Sequence, residues 1–445
     1  MTRYQTILPL LIIGGSLAPL TAGDDAKAPI KVPESNNGNW CEWLQNDPGT
    51  IYKNDDNPYV QEFGVFGRFQ FQYAYVDGEG ARGTGTQDFN YDTEEIRRLR
   101  LGVRLKFLKY FDLKANANLE ADLAPTGLES DHDVEYADIY AATLTFDAQK
   151  AFGIQSLDAL DIGIGKYKIG NNGEQGESSR KIKTIERSAI SNYAHPENST
   201  GIMLSAEKGD WDFALGMFSG DEEREFSAMD GSNDVFYYLH IGKKFDKPVW
   251  FSKSRADLRV VVNGDDKANQ GGSLSNPNPE GSGTFDQDWV VSLSTESKRG
   301  RFALLTDVIY GENGGSYFTS KGVRRRNPDR EGSFWGVVIL PSYELIEDKL
   351  ELVFRYQYAH ASEKEGFRIG SRYSRRAGSS YGFTGANDLS DGRGDSHHSA
   401  YLGLNYYLCK DNAKVMLGVE YDDLDSETQD VYEGYTAWAA FRMFF

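Results

Sequence analysis

Residues 95–120 read EIRRLRLGVRLKFLKYFDLKANANLE and separate into two faces when taken two at a time. Leu99, Leu101, Val103, Leu105 and Phe107 share one side, and Arg98, Arg100, Arg104 and Lys106 share the other. Successive side chains of a strand point to opposite faces, so this is one strand with an apolar wall and a cationic wall. After a turn at Lys109 and Tyr110 the alternation resumes, with Leu113, Ala115, Ala117, Leu119 and Ala121 opposed to Asp112, Lys114, Asn116, Asn118 and Glu120. A soluble sandwich buries such an apolar face in a core. A membrane barrel turns it toward lipid and lines a wet pore with the charges.

The same period recurs along the chain. It predicts strands over 63–76, 95–107, 111–120, 134–146, 160–168, 200–208, 211–219, 234–244, 255–263, 286–297, 300–310, 333–341, 348–361, 397–408, 413–424 and 433–445. That is about sixteen, an even number as single-chain outer-membrane barrels require. Short connections near Lys109, Gly209, 298–300 and 410–412 alternate with long ones over 77–94, 123–133, 169–199, 220–233, 264–285, 311–332, 362–396 and 425–432, although 147–159 and 245–254 are longer than the other turns on their side. Short periplasmic turns and long external loops have this asymmetry. Tyr435, Ala437, Ala439, Phe441, Met443 and Phe445 alternate up to the last residue. The expected fold is an all-β transmembrane antiparallel barrel over 61–445, with a soluble carbohydrate-binding β-sandwich as the rival of another class.

Composition sharpens this picture. The mean hydropathy is −0.55, and no apolar run is long enough for a membrane helix. The 26 Tyr and 25 Phe suit strands with aromatic girdles. A formal charge of −19 argues against nucleic acid as a partner, because phosphate would be repelled. Residues 1–23, with one Arg, an apolar stretch from Ile7 and small residues at 21–23, form an expected export signal, followed by an N-terminal periplasmic segment over 24–60.

Quoted in order, EIRRLRLGVRLKFLKYFDLK, DIGIGKYKIG, SSRKIKTIERSAI and LGLNYYLCKDNAKVMLGVEYDD give the chain a resemblance to the phosphate-selective porin O and P family from about Tyr59 onward. The resemblance implies a sixteen-stranded, trimeric anion channel in the outer membrane. It also implies an inward-folded loop and a row of arginines leading to a lysine-bearing constriction. Arg98, Arg100 and Arg104 match the basic strand, and Arg180, Lys181, Lys183 and Arg187 match the inward loop, here expected at 169–199. That loop also carries Glu174, Glu177 and Glu186.

Further cations expected on the lumen wall are Arg68, Lys106, Lys114, Lys166, Lys168, Arg259 and Arg355. Lys166 and Lys168 share even positions with Ile162 and Ile164, so strict alternation aims them at lipid. Either a bulge after Gly165 resets the phase or the strand has left the hydrocarbon band. The basic residues of 311–332 and 362–396 fit a funnel for anions and equally a clamp for lipopolysaccharide. The expected solutes are small anions, phosphate or polyphosphate; a general or sugar-permeable porin, with inward Trp438 and Tyr238, is the neighbouring alternative. The six histidines lack a paired nucleophile motif, and His397–His398 point apart on a strand, so neither catalysis, metal nor cofactor is expected. Cys41 and Cys409 are candidates for a disulfide: both fall on the periplasmic side, where thiols are oxidised if they can meet.

Overall fold

The computed structural model describes residues 38–82, 85–119, 134–196, 198–220, 225–227, 235–246, 250–264, 287–314, 316–318, 324–326, 328–368, 373–374, 393–427 and 429–445. The expected export signal lies outside the described residues, as do Lys321, Arg372, Arg375 and Arg376 of the basic loops.

Among the described residues, sixteen strands form one antiparallel wall. They are β1 (Val60–Arg82), β2 (Gly85–Phe107), β3 (Phe111–Asn118), β4 (Asp138–Asp147), β5 (Ala159–Tyr167), β6 (Ser199–Lys208), β7 (Trp211–Ser219), β8 (Val235–Asp246), β9 (Lys253–Asn263), β10 (Gln287–Arg299), β11 (Phe302–Asn313), β12 (Gly332–Ile346), β13 (Leu350–Ala361), β14 (Ser396–Tyr407), β15 (Ala413–Ser426) and β16 (Gln429–Phe444). Each pairs with the next, and β16 returns to β1 with Arg68 opposite Phe444 and Tyr73 opposite Ala439. Closure pairs the two ends of the sheet with each other, the condition for a sheet to stand in lipid.

The alternation faces outward as a lipid-spanning sheet must. Leu101 is 50% exposed, and Ile164, Leu215, Leu293, Val308, Leu402 and Leu417 are exposed likewise. In β13 the pattern is complete: Glu351, Val353, Arg355, Gln357 and Ala359 are buried inside while Leu352, Phe354 and Tyr356 stand outside. A band of exposed aliphatics around charged, buried interior positions is the reverse of a sandwich core.

Two expected loops are strand instead. Over 77–94, β1 and β2 stay paired through Gly80–Gln87 up to Arg82–Gly85. Over 425–432, β15 and β16 pair up to Ser426–Gln429. Above the bilayer both faces of a hairpin meet water, so no apolar wall marks the strand although its ladder continues.

At the other rim a helix, Gly38–Gln45, precedes a short strand, Thr50–Lys53. This strand pairs with β1 at Thr50–Gly64 and Lys53–Glu62, on the edge of β1 that β16 leaves open below Gly67. Cys41 and Cys409 are joined by a disulfide with their Cα atoms 5.1 Å apart.

Candidate functional site: the lumen constriction

The lumen is crossed by the segment between β5 and β6. Its entry depends on Gly165, whose φ of +137° an L side chain rarely adopts. Ile162 and Ile164 face lipid, and Lys166, two positions later, is buried. The ladder runs through this point without a slip, Gly165 facing Thr143 and Gly201 and Lys166 facing Ala142 and Thr200, so the bulge that the sequence left open is absent among the described residues.

Two short helices, Gly173–Gly176 and Ala189–Tyr193, give the segment its form. Asn172 caps the first by accepting from Gln175 N at 2.9 Å, and Ser188 caps the second through Ser191 N at 3.3 Å. The wall then fixes the segment from many sides. Asp307 of β11 accepts from Gly173 N at 2.8 Å and Glu174 N at 3.2 Å. A Cβ at Gly173 would lie 2.8 Å from the same carboxylate, so only glycine permits this approach. Arg355 donates to Glu174 Oε1 at 3.2 Å and to Glu186 O at 2.8 Å, and its other nitrogen reaches Glu420. Lys414 donates to Ile182 O at 2.9 Å, Arg442 to Ile185 O, and Ser292 to Asn171 O at 2.5 Å.

The expected cations thus divide by partner. Arg355 is 1% exposed and bound to two carboxylates, so it holds the segment rather than meeting solute. Lys183 donates to Glu351 at 2.5 Å and Ser342 at 2.7 Å, and Arg259 pairs with Asp257 at 3.4 Å. Arg180 donates to Asn412 at 3.1 Å, and Arg187 donates to the carbonyls of Glu174 and Glu177 at 2.7 and 2.8 Å. Near the short-turn rim Arg104 and Lys106 share Glu62 at 2.9 and 3.5 Å, and Lys114 lies 3.4 Å from Asp112. Lys181 is exposed on the segment.

A second group converges. Arg68 donates to Ser178 at 3.3 Å and to Ser179, Arg98 to Gln70 at 2.7 Å, and Arg100 to Asn118 at 2.6 Å while its guanidinium stacks over the Tyr140 ring. Lys168 donates to the carbonyls of Gln175 and, at 3.1 Å, Glu177. Burial pushes the Lys168 ammonium well below the usual lysine range, helped by repulsion from Arg187, Arg98, Arg68 and Arg100. Of these cations Arg68 and Lys168 line a cavity of about 260 Å³, together with Tyr140, Gly170, Gln175, Gly176, Ser178 and Ser179. The adjoining wall is open to water on its inner side. All ten residues of β4 are half-buried, in contrast to the strict alternation of β13, where the segment covers the inner face.

Arg97 is an inward cation that strict strand alternation does not predict. The register slips by one residue where Gln70 faces Arg98 and Phe71 faces Ile96, so a bulge turns both Arg97 and Arg98 inward. Arg97 donates to Glu186 at 2.7 and 3.3 Å. The signal was present in IRRL, where apolar Ile96 and Leu99 stand three apart instead of two. Lys414 and Arg442 were legible as inward positions of β15 and β16 but lay among apolar neighbours.

The histidines behave as strand alternation demands: His397 Nε2 lies 3.1 Å from Asp422 inside, and His398 Nδ1 lies 2.9 Å from the Tyr356 hydroxyl outside. Asp212, His240 and Asp257 cluster on β7–β9, but the Arg255 guanidinium bridges both carboxylates at 2.6 and 2.7 Å and supplies the cation there.

A closed sixteen-stranded barrel with a narrowed, charged lumen is a channel architecture, and residues 63–241 match the family model described as phosphate-selective porin O and P. Over those residues the chain is similar to this outer-membrane porin family, and its barrel belongs to the outer membrane. Among solved structures, the outer membrane channel DcaP of Acinetobacter baumannii is 12% identical, with 88% of this chain and 99% of that chain covered at a TM-score of 0.51. OmpT, an outer membrane protein of Vibrio cholerae, is 10% identical with the same coverage and the same TM-score. At such identities the likeness is one of fold. No curated protein sequence matches the chain.

Proposed function

We propose that this porin is a passive, anion-selective channel whose principal solutes are phosphate or polyphosphate. The observation that carries this reading is the cavity itself: of its eight lining residues two are cationic, two are serines and none is acidic. Arg98 and Arg100 stand close enough to repel the Lys168 charge, and an anion entering there relieves that repulsion. Water confined by low-dielectric walls strengthens such a field, and a row of Arg and Lys is how pores select anions. Arg can hold a phosphate in a bidentate fork, with Lys as a compact point charge. Release stays possible because each contact is one of several along the path.

A sugar-permeable porin is the less favoured reading. Trp438 and Tyr238, the inward aromatics that would offer a sliding surface, are buried, and Tyr238 is turned to donate to Gly170 O at 3.2 Å. Assembly as a homotrimer belongs to the same proposal and is checked by native mass in detergent. The deciding experiment is the reversal potential of single channels in a KCl gradient, repeated with phosphate. An anion-selective sign, with chloride current blocked by phosphate and the block weakened in Arg68→Gln and Arg100→Gln, is expected. A cation-selective sign overturns the reading.

A further inference from the structure

On the outer wall near the short-turn rim, two positions that parity turns toward lipid are covered. Ala413, paired with outward-facing Met443, is 0% exposed, and Gly67 lies under the Phe445 ring, where a Cβ would come within 2.4 Å. Over Ala413 the cover is the helix Gly38–Gln45. Its Leu44 is buried with Cys409 and Ala413, and Cys41, Leu408, Met443 and Phe445 pack around them. Leu408, Met443 and Phe445 continue the outward positions of β14 and β16. Asn412 fixes the end of the helix by donating to Leu44 O at 2.9 Å. The disulfide to Cys409 pins its middle.

The helix therefore rests on the flank of the barrel, in line with its lipid-facing band, and half of its apolar face remains uncovered. At about 100° per residue, Trp43, Trp40, Leu44 and Cys41 span an arc of roughly 160°, with Glu42 and Gln45 opposite. The barrel takes the Leu44–Cys41 half. Trp40 and Trp43 are left 46% and 61% exposed. Two indoles held beside a hydrocarbon-facing wall at its rim match the depth at which Trp is favoured, with its ring among headgroups and its N–H in reach of water.

We propose that Trp40 and Trp43 insert into the headgroup region of the periplasmic leaflet, making the disulfide-tethered helix a lipid-binding collar beside the seam where β16 meets β1. The partner is the phospholipid surface itself. This stands independently of which solute passes the pore.

The test uses the full porin in phosphatidylcholine vesicles, either plain or brominated high on the acyl chains. Emission is compared between wild type and the Trp40→Phe/Trp43→Phe variant, with heat-modifiable gel mobility as the check of folding. The difference isolates the two indoles from the other tryptophans. The expected result is a difference component that brominated lipid quenches and that acrylamide in the water does not. A component quenched by acrylamide and indifferent to bromine overturns the proposal and places both rings in the periplasm, free or awaiting a protein. If the double variant fails to fold, the single variants Trp40→Phe and Trp43→Phe are read in the same way.

Discussion

Arg355 Nη1 lies 3.2 Å from Glu174 Oε1, so the wall of the barrel and the segment crossing its lumen are joined by a buried ion pair. Glu174 is closed further by Ser188 N at 3.0 Å and Ser191 Oγ at 2.8 Å, and Arg355 also serves Glu420. Breaking a buried pair by removing one partner leaves an uncompensated charge, at a cost of about 3–5 kcal/mol. Arg355→Met should loosen the segment without opening the sixteen-stranded wall. Single-channel conductance should rise, and trypsin should gain access to Lys181, Lys183 and Arg187. Unchanged conductance in a correctly assembled barrel would show that the segment is held adequately by its other anchors.

Lys168 gives the channel a pH response of stated sign. Its ammonium is held well below the ordinary lysine range by burial and by neighbouring arginines. As pH falls through that lowered value the group gains its proton, the constriction gains a positive charge, and anion selectivity should increase. Reversal potentials measured as the pH is lowered from the alkaline side should shift toward the anion limit in wild type and stay flat in Lys168→Met. A step of the same size in the variant would assign the titration to another group.

Parity in β2 is testable at neighbouring residues. Leu101 faces lipid and Arg100 faces the lumen, one position apart. Leu101→Arg should cost about 2–4 kcal/mol near the bilayer midplane and reduce assembled barrel, whereas Arg100→Gln should assemble normally and change selectivity alone. Heat-modifiable mobility and phosphate block, measured on both, separate the two effects.

The Cys41–Cys409 bridge spans a sequence separation of 368. Chain-entropy reasoning gives closure of so long a loop a stabilisation on the order of 5 kcal/mol, felt in the unfolded chain. Cys41→Ser should lower the temperature at which the barrel loses its folded gel mobility. Thiol labelling of denatured, unreduced wild type should find no free thiol; two free thiols would rule the bridge out.

Deletion of Phe445 should have a related but separate effect. Its backbone exchanges hydrogen bonds with Gly67 at 3.1 and 3.2 Å, and its ring covers Gly67 beneath the helix. Less assembled barrel in the outer membrane is expected, measured by the fraction of heat-modifiable protein; unchanged levels would count against a role for the terminal residue in closure.

The sequence alone determined which way most of the wall faces. Period-two alternation is a property of a single strand, and a bilayer outside with water inside forces it to show wherever a strand crosses lipid, as from Leu99 to Phe107. It could not delimit β1, β2, β15 and β16 above the membrane, where both faces are wet and nothing selects an apolar side. For Arg97 it offered only the three-residue spacing of Ile96 and Leu99, and the one-residue slip against β1 sets the direction. Above all it could not sort the lumen cations. Arg355 and Arg100 look alike in a strand, yet one is bound to Glu174, 181 residues away, and the other stacks on Tyr140 beside an open cavity. Whether a guanidinium meets a solute or a carboxylate depends on which acids the fold brings to it, and only closure of the barrel around residues 168–198 decides that.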